Sequence, residues 1–196
     1  MSLFEYLDKR GIFTNKFEGF SQQIPNQIYD LTLLIDNAEI KTAMEIGFNA
    51  GHSAEIFLRT NPSVHLTSFD LGVHDYVAVA KDYMDKTYPS RHTLILGDST
   101  KTIPAHKQTT YDLIFIDGGH DYEVAKADLL NCRRFAHANT IVIMDDTLYR
   151  EGYSYSFNIG PTRSWLEAIE QGIIVEVDHS DYQPGRGMSW GLYRFE

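Results

Sequence analysis

Seven short runs of β-branched and aromatic residues recur along the chain, and several are apolar at nearly every position. They are TAMEI (Thr42–Ile46), VHLTSF (Val64–Phe69), HTLILG (His92–Gly97), DLIFI (Asp112–Ile116), TIVIM (Thr140–Met144), IIVEV (Ile173–Val177) and SWGLYRF (Ser189–Phe195). A strand with one wet face alternates apolar and polar residues, whereas an all-apolar strand is covered on both faces. Helical spacing fills the intervals, most clearly over His52–Arg59, Tyr122–Ala136 and Thr162–Gln171. Strand and helix in repeated alternation predict a doubly wound α/β sheet with helices on both faces. Between the last two runs, DHSDYQPGRGM leaves no room for a helix, so these strands are expected to pair antiparallel as a long-looped hairpin. The chain up to about Glu39 reads as helices packed on the outside, with SQQIPNQIYDLTLLIDNA one of them. The length of 196 residues suits one domain. Residues 1–40 form a helical segment expected to cover the site, and 41–196 form the α/β core.

Charge narrows the partners. A formal net charge of −10 argues against a broad electrostatic grip on nucleic acid or anionic lipid. It still permits an anionic ligand held by backbone dipoles. The lone Cys132 excludes an internal disulfide and reads as a small packing residue in a helix of a reduced protein. No apolar run approaches the roughly 20 residues needed to span a bilayer. The start, MSLFEYLDKR, lacks the basic end and apolar middle of a signal peptide. A cytoplasmic protein with a small-molecule partner is therefore expected. Oligomeric state is open, with a homo-oligomer allowed.

Ligands of open α/β sheets bind beyond the carboxyl ends of the strands. Acids stand at five of those ends here: Glu45, Asp70, Asp98, Asp117 and the pair Asp145-Asp146. After the first strand, EIGFNAGHS places Gly47 and Gly51 on a strand-to-helix turn, with Ser53 in the first turn of the helix. Such glycines let a ligand approach the main chain, and a plain glycine turn is the competing reading. The dinucleotide fingerprint is absent, because Asn49 stands where its second glycine would be, and no Gly-Lys-Ser/Thr follows to make a P-loop. Asp70 can accept from two ribose hydroxyls, or cap a helix. Asp98, supported by Ser99, can accept from the exocyclic amine of a base, or again cap a helix.

Taken together, EIGFNAGHS, FD at Asp70, GDS at Asp98 and YDLIFIDGGHDYE resemble the class I S-adenosylmethionine-dependent methyltransferases, over roughly Thr42 to Glu196. The resemblance implies a Rossmann-like, seven-stranded, mostly parallel sheet with its last strand antiparallel. It implies S-adenosyl-L-methionine as cofactor, with Gly47 and Gly51 around its amino-acid end, Asp70 on its ribose and Asp98 on its adenine. Glu45 matches the family's acid that helps position the methionine part, and Asp117 borders the same cofactor.

A helix joins the fourth and fifth strands, and a right-handed crossover places their ends side by side. Asp117, Asp145 and Asp146 are then expected to converge. Three carboxylates together repel unless protons or a cation offset them. Oxygen ligands suit Mg²⁺, or Mn²⁺ or Ca²⁺, more than zinc; the competing reading has Asp145-Asp146 capping the next segment and Asp117 bonding backbone amides. The arrangement resembles the metal-dependent O-methyltransferases, and the sugar- and macrolide-modifying branch more than the catechol branch, whose second pair is Asp-Asn. In that branch Ile-Asp-Gly-x-His carries a metal-binding Asp and a histidine base, which implies Asp117 and His120 as the catalytic pair. Leu148–Gly160, rich in Tyr, Gly and Ser, reads as a loop over the acceptor, with Tyr149, Tyr153 and Tyr155 available to stack. The leading expectation is Mg²⁺-assisted O-methylation of a hydroxyl on a sugar or other small diol. The alternatives are a metal-independent methyltransferase and a nucleoside-binding module without chemistry.

Overall fold

The computed structural model describes residues 1–19, 24–107, 110–148, 155–182 and 185–195. Its strands are β1 (Thr42–Ile46), β2 (His65–Asp70), β3 (His92–Leu96), β4 (Tyr111–Ile116), β5 (Ala136–Asp145), β6 (Ile174–Tyr182) and β7 (Arg186–Tyr193). They form one seven-stranded sheet in the order β3-β2-β1-β4-β5-β7-β6. β1 to β5 run parallel, and β7 pairs antiparallel with both β5 and β6. Strand order reverses between β1 and β4, so the ligand crevice of such a sheet opens there.

Side-chain alternation sorts the core onto two faces. Ala43, Leu66, Leu113, Phe115 and Ile143 pack with α1 (Leu3–Asp8), α2 (Pro25–Ile35), α3 (His52–Thr60) and α4 (Asp75–Thr87). Met44, Ile46, Phe69, Ile114, Ile116, Val142 and Met144 pack on the other face with α5 (Ser99–Ala105), α6 (Tyr122–Cys132) and α7 (Ser156–Glu170). Both faces are covered, as the all-apolar runs required. Among the described residues no helix is long and apolar enough to cross a membrane.

Three boundaries differ from the sequence reading. The helix expected over Tyr122–Ala136 ends at Cys132, because Ala136 is already paired with Tyr111 and a 3₁₀ turn over Arg133–Phe135 bridges the gap. The last two strands do pair antiparallel, but not around a long loop: β6 runs on to Tyr182 and β7 starts at Arg186. The polar stretch Asp178–Asp181 suits an edge strand, where charged residues face water and guard against pairing with other chains. Finally, α7 begins at Ser156, with Pro161 inside it, so Ser156–Gly160 are helical where a loop was expected. Asn158 holds that start down by donating from Nδ2 to the Asp146 carbonyl at 2.9 Å. Tyr149 and Tyr153 lie outside the described residues, while the Tyr155 ring stacks on Phe157 with centroids 5.4 Å apart.

Candidate active site

The turn after β1 shows why it carries glycine. Gly47 has φ +94°, and a Cβ there would lie 1.8 Å from the Asp117 carbonyl oxygen. The close approach it permits is between the β1 and β4 ends, across the point where strand order reverses. Asn49 follows with φ 48°, and its amide donates to Asp70 Oδ2 at 2.8 Å. Asp70 Oδ1 accepts from the Gly72 amide at 2.7 Å. Asp70 thus ties the two turns that border the crevice, and its carboxylate stands partly exposed at the end of β2.

Glu45 sits beneath this turn, wholly buried. It shares a face with Ala43, which aims it at α3, and it lies in register with Ser68 on β2. Ser53 Oγ donates to Glu45 Oε1 and Ser68 Oγ to Oε2, each at 2.5 Å. Burial pushes the Glu45 carboxyl up to about 7, against the pull of both hydroxyls. Ser53 and Ser68 are therefore both bonded to Glu45 inside the protein. Asp98 caps α5: it accepts from the Thr100 amide at 3.0 Å and the Thr100 hydroxyl at 2.6 Å, and pairs with Lys101 at 2.8 Å. The Lys101 and Thr100 bonds hold its carboxyl down at about 2. Ser99 opens the same helix beside the buried Asp128.

The second half of the site lies at the ends of β4 and β5, which run in register with Ile116 opposite Met144. Asp117, His120 and Asp146 each place one ligand atom within 4.8 Å of the other two. His120 Nε2 lies 3.0 Å from Asp146 Oδ2, with the imidazole side chain 45% exposed and the carboxylate 1%. That contact, aided by the charges of Asp146 and Asp145, raises the His120 pKa above its ordinary value despite partial burial. Asp117 is raised well above the carboxylate range by burial and by its acidic neighbours.

Asp145 is turned elsewhere. It shares the alternation of Ile143 and so faces α2, where Gln27 Nε2 donates to both its oxygens at 2.7 and 2.9 Å. Burial and the Asp146 charge lift its carboxyl to about 7. Asp146, one residue on, adopts a left-handed φ of 56° that breaks the strand alternation and swings its carboxylate toward His120 and Arg186. Arg186 Nη1 lies 3.0 Å from Asp146 Oδ1. Burial opposes the Arg186 charge, and Asp146, Asp145 and Asp117 hold it on.

Sequence reasoning missed Gln27 and Arg186. Gln27 was one polar residue on a helix read for its apolar spacing, and nothing marked it. Arg186 lies between Gly185 and Gly187, a faint hint that something there must come close.

The site is a glycine turn at the reversal of strand order with Asp70 bonded to it, next to an acid and histidine cluster. The sequence model of the methyltransferase-domain family matches residues 44–147, just over half of the chain, from Met44 in β1 to the end of β5 with the turns described above. The chain belongs to the methyltransferase-domain family. No curated protein matches this methyltransferase in sequence. Solved structures match it throughout at low identity. The cofactor-bound Rv0187 from MTB superposes with TM-score 0.79 at 18% identity, covering 99% of this chain and 88% of that one. An O-methyltransferase from Bacillus cereus in complex with SAH gives 0.76 at 18%, covering 98% and 90%. The O-methyltransferase TomG from Streptomyces achromogenes, involved in tomaymycin synthesis and solved in complex with SAM, gives 0.74 at 12%, covering 98% and 88%. At such identities the likeness establishes the fold, which is the Rossmann-like sheet of this methyltransferase from end to end.

Proposed function

We propose that the protein is a cytoplasmic S-adenosylmethionine-dependent O-methyltransferase acting on a hydroxyl of a sugar or other small-molecule diol, with a divalent cation, Mg²⁺ first, assisting. One observation carries this reading. Asp117, His120 and Asp146 converge at the carboxyl edge of the sheet, on the same rim as the Gly47 turn and Asp70.

Methyl transfer forms a bond from the acceptor oxygen to the methyl carbon as the carbon–sulfur bond of the sulfonium breaks. The donor is already activated, so the protein must align the oxygen and take its proton. His120 is arranged for the second task. With Nε2 3.0 Å from Asp146 and carrying the proton, Nδ1 is left as the acceptor, and Asp146 stabilises the imidazolium that results. Asp70, with partly exposed carboxylate oxygens, suits the ribose diol. The residues present also fit a cation. Asp117 and Asp146 supply carboxyl oxygens, with Asp145 beside them, and Asp146 Oδ2 is buried without a hydrogen-bond partner. When bound, a divalent cation lowers the pKa of a hydroxyl and orients it.

The test begins with calorimetry on S-adenosylhomocysteine; no binding near millimolar ligand would remove the cofactor reading. His120→Ala is expected to lower kcat by roughly 10²–10³-fold with S-adenosylhomocysteine affinity within about twofold of wild type. Because the His120 pKa is raised and the base must be neutral, kcat should climb with pH through a midpoint above the ordinary histidine value. Full activity in the presence of a chelator would remove the cation and leave the base in place.

A further inference from the structure

The acid cluster carries a cation of its own. Arg186 opens β7, and the two glycines that flank it bring it there. A Cβ on Gly187 would lie 1.9 Å from the Thr147 carbonyl oxygen, and one on Gly185 would lie 2.2 Å from the Tyr155 ring. Only a bare backbone passes this close to the chain that follows β5, and that closeness delivers the Arg186 head to Asp146. The guanidinium is also seated on the Phe157 ring, 5.1 Å from its centroid, and is 26% exposed at its outer side.

Asp146 is contacted on both oxygens as a result. Oδ2 faces His120, Oδ1 faces Arg186, and the backbone carbonyl accepts from Asn158. Oδ2 makes no well-formed hydrogen bond, so the bond from Arg186 to Oδ1 is the firm hold on this buried carboxylate. His120 faces Oδ2, the arrangement a base requires, and the Arg186 charge holds Oδ1. A guanidinium and a doubly charged ion on one carboxylate would repel strongly in so buried a place.

We propose that Arg186 is a resident counter-ion of the acid cluster, and that a divalent cation binds by displacing it from Asp146 Oδ1 while His120 keeps Oδ2. This rests on the cation-assisted reading above. Arg186 is thus a positioning residue for the metal site and sets its affinity: the ion must take the place of an internal charge, so binding is an exchange and is weakened by it.

Mn²⁺ binding to wild type, Arg186→Gln and Arg186→Lys, followed by the electron paramagnetic resonance signal of the free ion, tests this without any turnover. Arg186→Gln is expected to bind Mn²⁺ at least about tenfold more tightly than wild type, with Arg186→Lys between them. Mn²⁺ should also raise the melting temperature of Arg186→Gln more than that of wild type, because removing Arg186 takes the guanidinium away from a buried carboxylate. A second measurement needs no variant. Phenylglyoxal modification of Arg186 in wild type, read by mass spectrometry, should quicken severalfold when Mn²⁺ is added. If Arg186→Gln proves unfolded by circular dichroism, Arg186→Lys and this footprint decide. Equal or weaker Mn²⁺ binding by the variants, or a footprint that is unchanged or slowed while Mn²⁺ binds, overturns the exchange and leaves the cation reading standing. Absence of Mn²⁺ binding from all three proteins overturns both.

Discussion

At the scale of single residues, the same side-chain type does different work according to which face it points to. Gly47 is fixed by its neighbour across the sheet: a methyl there would collide with the Asp117 carbonyl at 1.8 Å, and its φ of +94° suits only glycine. Gly47→Ala should cost more than about 2 kcal/mol of stability in urea unfolding, from strain and overpacking together. Glu45 carries a pH signature. Its folded pKa of about 7 lies above the unfolded value near 4.5, so its contribution is full below 4.5 and is lost as pH rises through 7. Glu45→Gln lacks that loss. The stability of wild type relative to Glu45→Gln should fall by about 3 kcal/mol between pH 4 and pH 8, and a difference that stays flat would show the carboxyl to be unperturbed. The acids at the strand ends were all visible in the sequence, but their partners were not. Asp98 is legible as either a cap or a ligand, and only the Thr100 and Lys101 contacts show how it is used here.

At the scale of elements, the strands were legible because burial on both faces forces apolar composition. The ends of helices were less so, since they depend on contacts with distant chain. The start of α7 is the clearest instance. Gly160 lies in it against the His120 loop, where a Cβ would approach the His120 carbonyl to 2.1 Å and the Tyr122 amide to 2.8 Å. Nothing local in SYSFNIGPTR announces a helix, and Pro161 suggested that one begins only there. Gly160→Ala should push α7 from the loop that carries His120. The expected outcome is a loss of about 1–3 kcal/mol in stability, together with a lower kcat at nearly unchanged S-adenosylhomocysteine affinity, measured on the same preparation. The β6–β7 hairpin was legible in its pairing and not in its length, because an edge strand tolerates the polar residues that elsewhere mark a loop.

At the scale of the whole molecule, the cofactor is expected to act as part of the fold. A ligand bound only by the folded state at about 100 times its dissociation constant adds about 2.7 kcal/mol. For a chain of this size that is a rise of roughly 5–10 °C in melting temperature, so S-adenosylhomocysteine should produce that shift in a thermal scan. No shift at saturating ligand would count against the cofactor reading of the crevice. The amino-acid sequence by itself determined the class of fold, the parallel core, the antiparallel last strand and the set of acids at the strand ends. These follow from periodicity and burial, which are local to each segment. The tertiary structure alone decided how those acids divide: Asp145 to Gln27 of α2, Asp146 to His120 and Arg186, Glu45 to two serines. Apart from Glu45 and Ser53, which are 8 residues apart, those pairings join residues well separated in the chain. Strand alternation aims each acid at one face of the sheet, and the crossovers decide which helix or strand waits there.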